Sequence, residues 1–112
     1  MKETNSNPQQ FYVILFNCQE DIEHYEEIDQ QLQKTDFRTI LKQKFKESVK
    51  HNEQHLSIIS PSFKLYCGTK TGEATSIEID IYGREGLVKI IELAKEHTWK
   101  VFDKQLNQFI DL

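Results

Sequence analysis

Glu78 and Asp80 have the spacing that most resembles an enzyme site in this chain. Polar and apolar residues alternate around them, so a β-strand would place both carboxylates on one face, about 7 Å apart by strand rise. Paired acid and base carboxylates in glycoside hydrolases have a similar separation. The same alternation is typical of any strand with one solvated face. We therefore interpret the pair as surface carboxylates, with a hydrolase site as the alternative.

His51 and His55 are four residues apart, a spacing that places two side chains on one side of a helix. The zinc motif H-E-x-x-H has its glutamate directly after the first histidine, whereas here Glu53 comes one position later. The pair also falls where a predicted helix should fray. We expect surface histidines and no metal site.

Cys18 and Cys67 are too far apart for a zinc knuckle or a disulfide framework, and neither belongs to a C-x-x-C pair. We expect free thiols; a redox or disulfide role, or a nucleophile paired with a remote histidine, is the alternative. Residues 68–72, GTKTG, lack the G-x-x-x-x-G-K-[ST] spacing of a phosphate loop and predict a hairpin tip. The chain is therefore predicted not to be an enzyme, with no catalytic residues and no cofactor.

The elements that position these residues follow from hydrophobic periodicity. Strands are predicted at residues 11–17, 63–68, 74–82, 99–103 and 109–112. A first helix is predicted over residues 18–34, with Asn17 and Glu20 resembling a capping box. A second helix starts at Asp36, and a third opens at Gly86. The inner faces of the second and third helices are predicted to carry Phe37, Ile40, Leu41, Phe45 and Val49, and Leu87, Ile90, Ile91, Ala94 and Thr98, respectively.

This order predicts an α+β fold, an extended form of the ferredoxin-like (split βαβ) arrangement, with a mostly antiparallel sheet and helices on one face. One helix over residues 18–51 is the alternative, but a rod of about 30 residues is ~45 Å long and would overhang the sheet, so a break near Thr35-Asp36 is preferred. With 112 residues and 38% apolar content we expect a single domain, residues 1–112, with residues 1–10 as a flexible tail. No signal peptide or membrane-spanning run is visible, which predicts a cytoplasmic protein without membrane contact.

The first strand is apolar on both sides, because Tyr12, Ile14 and Phe16 alternate with the apolar residues Phe11, Val13 and Leu15. A strand with one solvated face should carry polar residues on that face. Something is therefore expected to cover part of the open face of the sheet. The candidates are the strand at residues 109–112, the N-terminal tail, a protein partner or a second copy of the chain.

Charge is distributed unevenly along the chain. Six of the ten residues 20–29 are acidic, and they are Glu20, Asp21, Glu23, Glu26, Glu27 and Asp29. A basic stripe, Arg38, Lys42, Lys46 and Lys50, recurs every four residues on the second helix. Both sets are typical of solvated helix faces, and the acidic one also suits docking of a basic protein. Nucleic-acid binding is disfavoured, because Glu78 and Asp80 occupy the exposed face and no RNP motif is present.

The C-terminal quarter carries a resemblance to a known class of proteins. Its features are Gly86-Leu87, Ile91-Glu-Leu-Ala94, Trp99-x-x-Phe-Asp103, Gln105 and Phe109-Ile-Asp-Leu112. The segment resembles the ends of immunity proteins of bacterial polymorphic toxin systems, including contact-dependent growth inhibition. The resemblance implies a cytoplasmic, non-enzymatic inhibitor that binds one cognate toxin domain, often a basic nuclease, and blocks its active site.

We therefore predict an immunity protein that neutralises a toxin domain by steric and electrostatic blocking. The expected contact residues are acidic or aromatic and exposed, and they are Glu20, Glu23, Glu26, Glu27, Glu78, Asp80 and Tyr82. The alternative is a small-ligand or regulatory ferredoxin-like module that forms a homodimer through the open face of its sheet.

Overall fold

A computed structural model describes residues 9–18, 32–46, 49–51, 56–68 and 72–112 of the chain. These residues form an α+β structure around one antiparallel sheet. The elements in chain order are β1 (Gln10–Phe16), α1 (Phe37–Lys44), β2 (Val49–His51), β3 (Leu56–Ile59), β4 (Lys64–Cys67), β5 (Ser76–Tyr82), α2 (Arg84–His97), β6 (Lys100–Asp103) and β7 (Gln108–Phe109). The α+β class predicted from periodicity is confirmed. Among the described residues, no helix is long and apolar enough to cross a membrane.

The sheet has the strand order β2-β3-β4-β5-β1-β6-β7, and each neighbouring pair is antiparallel. The first strand of the chain therefore lies inside the sheet, between β5 and β6. The chain leaves β1, forms α1 and the β2–β3 hairpin, and returns along β4 and β5 to pair with β1. Helix α2 then connects β5 to β6, the two neighbours of β1. This topology places residues from distant parts of the sequence side by side.

Both described helices pack on the same face of the sheet. Phe37 and Leu41 of α1 and Ile90 and Leu93 of α2 are buried in one hydrophobic cluster, which also contains Trp99. The strand residues of this cluster alternate along the strands, and they include Val13, Leu15, Leu56, Ile58, Leu65, Cys67, Ile77, Ile79, Ile81 and Val101. Burying each large apolar side chain contributes about 1.5–3 kcal/mol, so this layer supplies most of the driving force for folding.

Two glycines allow α2 to lie close to the sheet. A Cβ at Gly86 would be 2.9 Å from Cγ2 of Ile81 and 3.1 Å from Cδ2 of Leu65. Gly83, which precedes the helix, has φ of 100°, and a Cβ there would be 2.7 Å from the carbonyl oxygen of Ser62. A side chain at Gly86 would push the helix away from β4 and β5, and one at Gly83 would press on the segment that precedes β4.

Helix α1 is shorter than its sequence pattern predicts. Asp36 is its N-cap, as expected, and accepts a hydrogen bond from the Thr39 N–H at 3.1 Å. The helix ends at Lys44, and Val49, predicted on its inner face, lies in β2 opposite Ile58. Pairing with β3 overrides the helical periodicity at this point. The predicted break near Thr35-Asp36 is confirmed, since Thr35 forms an isolated bridge with Ala74, and one continuous helix over residues 18–51 is excluded.

The predicted basic stripe does not exist as a helix face. Arg38 is buried against the sheet, while Lys42 is half-buried on α1. Lys46 follows the end of the helix, and Lys50 belongs to β2. The four-residue spacing spans two different elements, which is why it does not produce one basic surface.

The ends of the predicted first helix are wrong. Cys18 forms an isolated antiparallel bridge with Leu32, and the Gln33 N–H donates to the carbonyl oxygen of Asn17 at 3.0 Å. The Asn17 side chain donates to the carbonyl of Gln33 at 3.1 Å. Cys18 and residues 32–34 are therefore extended chain. The remainder of the predicted helix, including Glu20, lies outside the described residues, as does most of the predicted tail; β1 begins at Gln10.

The other differences concern short elements. The β2–β3 hairpin was not predicted, and it places His51 in a strand, whereas His55 lies outside the described residues. Thr98, predicted on the inner face of the third helix, is its exposed C-cap with φ of 59°. The final strand is limited to Gln108–Phe109. The strands predicted at residues 11–17, 63–68, 74–82 and 99–103 are confirmed to within two residues at each end.

Candidate functional site

The face of the sheet opposite α1 and α2 has an apolar half and a polar half. The apolar half lies at β1, β6 and β7, where Ile14, Phe16 and Phe102 are buried together with Cys18. The Phe109 ring packs against the Phe102 ring at a centroid distance of 5.1 Å and against the Phe16 ring at 6.4 Å. Phe109 belongs to one of the segments expected to cover this face, and its side chain packs against the cluster, but β7 itself lies in the sheet beside β6. Leu32 packs against the same cluster.

The polar half is centred on β5 and carries three tyrosines and two carboxylates. We call Tyr12, Tyr66, Glu78, Asp80 and Tyr82 the tyrosine–carboxylate patch. Asp80 lies directly opposite Tyr12 on β1 and directly opposite Tyr66 on β4. Adjacent strands are about 4.8 Å apart, so the short aspartate lies between two long aromatic side chains.

Glu78 is held by the hydroxyl of Tyr12. The Tyr12 hydroxyl donates to Oε1 of Glu78 at 2.5 Å. This hydrogen bond to the carboxylate, with burial second and the nearby charges of Glu78 and Asp80 following, raises the pKa of Tyr12 to about 12. On the other side, Nζ of Lys104 lies 5.6 Å from the centre of the Tyr12 ring. Tyr12 and Glu78 therefore form a fixed unit at the border of the apolar half.

Asp80 is the carboxylate of the patch that has no such partner. It is half-buried, and among the described residues no hydrogen-bond donor or cation contacts its oxygens. The Tyr12 hydroxyl is directed to Glu78, and the Tyr66 ring packs against Tyr82. Asp80 thus presents its negative charge to the outside between aromatic walls.

Tyr66 and Tyr82 form the edge of the patch. Their ring centroids are 5.7 Å apart with an interplanar angle of 82°, and Tyr66 is 40% exposed. The amide of Gln10 donates to the Tyr82 hydroxyl at 3.3 Å. Beside them is an open pocket of about 420 Å³, lined by Ser60, Pro61, Ser62, Phe63, Lys64, Tyr66 and Tyr82. The pocket gives this edge a concave shape that a protruding side chain or a small molecule can enter.

The structure brings together three of the residues predicted as contacts. Glu78 is exposed, and Asp80 and Tyr82 are half-buried on the same strand face. The other predicted contacts, Glu20, Glu23, Glu26 and Glu27, lie outside the described residues. Sequence reasoning did not select Tyr12 and Tyr66 for the site. Their strands alternate visibly, but only the register that places β1 and β4 on either side of β5 shows that their side chains flank Asp80.

Of the other candidates for chemistry, the two cysteines are buried. Burial raises the pKa of the Cys67 thiol to about 12, which suppresses the thiolate that a nucleophile needs. Within the described ranges, no group of three or more His, Cys, Asp or Glu side chains could hold a metal ion. The arrangement of the patch is suited to recognition by aromatic contact and negative charge. Comparison of the chain with models of protein families, with curated proteins and with solved structures found no match.

Proposed function

We propose that the protein is an immunity protein that binds a cognate bacterial toxin domain, of basic character, through the tyrosine–carboxylate patch and blocks it without catalysis. The observation that carries this proposal is the composition of the polar half of the open face, where three tyrosines surround Glu78 and Asp80. Tyrosine is enriched in the energetic centres of protein interfaces, because its ring buries a large area at a small entropy cost. The resemblance of the C-terminal quarter to immunity proteins supports the same function.

The charge of the patch favours a basic protein as the partner. Glu78 and Asp80 lie at its centre, whereas Lys64 and Lys104 lie at its borders. Complementary potentials raise association rates and disfavour partners of the wrong charge. Although the face carries aromatics that could stack on bases, the central carboxylates would repel a phosphate backbone, and we propose no nucleic-acid partner.

We further propose that Glu20, Glu23, Glu26 and Glu27 of the acidic segment at residues 20–29 contact the same partner. The topology also supports the ferredoxin-like relationship: β4, β5, β1 and β6 are neighbours in that order, which is the order of a split βαβ fold with β2, β3 and β7 added at its edges. A single cytoplasmic domain of this kind, without cofactor or membrane contact, agrees with a stoichiometric inhibitor.

The test is binding to the toxin domain encoded beside this chain. Glu78→Lys combined with Asp80→Lys should slow association at least about 10-fold at low salt, because two attractive charges become repulsive, and the deficit should shrink as ionic strength rises. The matched control is Glu92→Lys combined with Glu96→Lys, which makes the same charge change on α2, in the helical layer. Equal association rates for wild type, patch variant and control would show that the patch is not part of the interface.

The acidic segment is tested in the same series with Glu23→Lys combined with Glu27→Lys. The sequence predicts solvated charges at both positions, and such charges contribute about 0–1 kcal/mol each to stability. Folding should therefore be retained while association slows. If this variant slows association and the Glu78, Asp80 variant does not, the interface lies on the acidic segment instead. If neither does, and the wild type does not protect cells from the toxin, the immunity function is wrong.

A second function is favoured by the pocket beside Tyr66 and Tyr82. Its volume of about 420 Å³ is that of a small-ligand site, and it lies on the open face. The alternative is therefore a regulatory module that binds a small ligand there and forms a homodimer through this face. Sedimentation at micromolar concentration discriminates the two: a dimer that Tyr66→Lys dissociates supports the regulatory module, and a monomer supports the immunity function.

A further inference from the structure

Asp80 of the tyrosine–carboxylate patch lies between aromatic side chains, and its carboxylate contacts no donor among the described residues. We infer that this position receives the guanidinium group of a single arginine from the protein partner. This inference rests on the proposed function, since it names the chemistry by which a basic partner is recognised at the same face. We call the position, formed by Tyr12, Tyr66, Asp80 and Tyr82, the arginine site.

The walls of the arginine site are set by the register of three strands. Tyr12 and Tyr66 are the cross-strand neighbours of Asp80 on its two sides. Since aspartate is shorter than tyrosine, its carboxylate forms a floor between two rings that stand higher from the sheet. A planar cation that reaches the Asp80 carboxylate therefore has an aromatic side chain on the neighbouring strand at each side.

The two tyrosines that flank Asp80 interact with other residues. The Tyr12 hydroxyl is engaged with Oε1 of Glu78 at 2.5 Å, and the Tyr66 ring is held edge-to-face by Tyr82 at 5.7 Å. Asp80 itself contacts no donor or cation among the described residues. A half-buried carboxylate has lost part of its hydration, so a charged donor that reaches it is bound more strongly than at a fully exposed carboxylate.

Arginine fits these walls better than lysine does. Its guanidinium is planar, stacks on aromatic rings and donates two parallel hydrogen bonds to one carboxylate. The ammonium group of lysine is compact and strongly hydrated. It cannot donate two parallel hydrogen bonds to one carboxylate, and it does not stack on a ring as a planar group does. Lys64, which lies opposite Tyr82 at the end of the patch, disfavours a second cation there. The site therefore selects one arginine and not a basic stretch.

The experiment uses a short peptide, so that it does not depend on the toxin. Amide resonances of the full chain are followed by NMR during titration with the blocked tripeptide Gly-Arg-Gly, with the same peptide carrying citrulline, the uncharged isostere of arginine, and with Gly-Lys-Gly. Saturable shifts at Tyr66, Asp80 and Tyr82 are expected with the arginine peptide in the range of about 1–10 mM. The citrulline peptide should bind at least about 10-fold more weakly, since it lacks the charge. The lysine peptide should also bind more weakly than the arginine peptide.

Two variants assign the binding to Asp80. Asp80→Asn preserves the shape of the side chain and removes its charge. It should weaken binding of the arginine peptide at least about 5-fold. Glu92→Gln removes the same charge from the exposed surface of α2 and should leave binding unchanged. Equal binding of the arginine and citrulline peptides, or full binding by Asp80→Asn, would overturn the arginine site. Failure of the toxin to bind while the arginine peptide does would instead refute the immunity function and leave the site in place.

Discussion

Replacement of Arg38 by methionine should stabilise the protein. Arg38 lies in the first turn of α1 and is only 7% exposed, yet its Nε and Nη1 atoms are buried and have no hydrogen-bond partner among the described residues. In the unfolded chain water hydrates the guanidinium, whereas in the folded protein these atoms lose that hydration and gain no acceptor. This difference lowers the free energy of unfolding. Methionine keeps most of the apolar stem that packs under α1 and removes the polar atoms.

The size of the effect follows from these two atoms. Leaving a buried donor unsatisfied costs about 1–3 kcal/mol, and more for a charged group. Methionine also loses the contacts of the guanidinium plane, which reduces the gain. We therefore expect the free energy of unfolding to rise by about 1–3 kcal/mol. For a chain of this length, each 1 kcal/mol corresponds to a rise of ~3–6 °C in Tm.

The assay is chemical denaturation followed by circular dichroism, with unchanged m-value as the criterion of two-state unfolding. Lys42→Met is the control, because Lys42 lies one turn further along α1 and is half-buried; its effect should stay within about 0.5 kcal/mol. A loss of stability greater than about 1 kcal/mol in Arg38→Met would refute the reasoning, since breaking a satisfied buried charge pair is destabilising.

Four further outcomes are expected. Spectrophotometric titration should show a pKa near 12 for Tyr12 in place of the ordinary 10.0, and Glu78→Gln should return this pKa toward 10. The folded state holds the Tyr12 proton to higher pH than the unfolded chain does. The contribution of this proton to stability is therefore present below pH 10 and is lost between about pH 10 and pH 12. Gly86→Ala should destabilise by about 1–3 kcal/mol in thermal unfolding, because the new methyl group would press on Ile81; an unchanged Tm would show that α2 can move away from the sheet. A thiol reagent at pH 8 should modify Cys67 only after unfolding in guanidinium chloride, and rapid labelling of the native protein would contradict its burial. The protein should purify without stoichiometric zinc, and a chelator should leave its Tm unchanged; one tightly held metal per chain in elemental analysis would revive the enzyme alternative.

Periodicity predicted the elements that are long or strictly alternating. In β5, Ile77, Ile79 and Ile81 face the helices as their spacing predicts, and in α2 the inner face contains Ile90 and Ala94. These elements are specified locally, because each has one buried and one solvated side over its whole length. Their positions in the sequence could therefore be read without knowledge of the tertiary structure.

The errors fall where tertiary pairing decides the structure. Val49 continues the helical spacing of Phe37, Leu41 and Phe45, but it pairs with Ile58 in the β2–β3 hairpin. A strand of three residues has too little pattern to compete with a helical period in the sequence. The bridge between Cys18 and Leu32 likewise depends on two segments meeting, and local propensity cannot show it.

The candidate site divides in the same way. Glu78, Asp80 and Tyr82 are neighbours on one strand face, and alternation alone groups them. Tyr12 and Tyr66 join them through the insertion of β5 between β4 and β1. Among the described residues Asp80 has no donor, because Tyr12 bonds to Glu78 and Tyr66 packs against Tyr82. Local sequence patterns do not show these side-chain contacts.

The patch and the core use the same strands but not the same side chains. Along β5, Ile79 and Ile81 are fully buried under the helices, while Asp80 between them faces the opposite side. On β1, the border between the buried cluster and the patch falls between Ile14 and Tyr12, at the point where Tyr12 holds Glu78. The proposed contact residues are therefore fixed by a packed layer beneath them, which would lower the conformational entropy lost when a partner binds. For the same reason, we expect a change of charge at Asp80 to alter the proposed recognition while leaving the packing of the core intact, so that binding and stability can be measured separately.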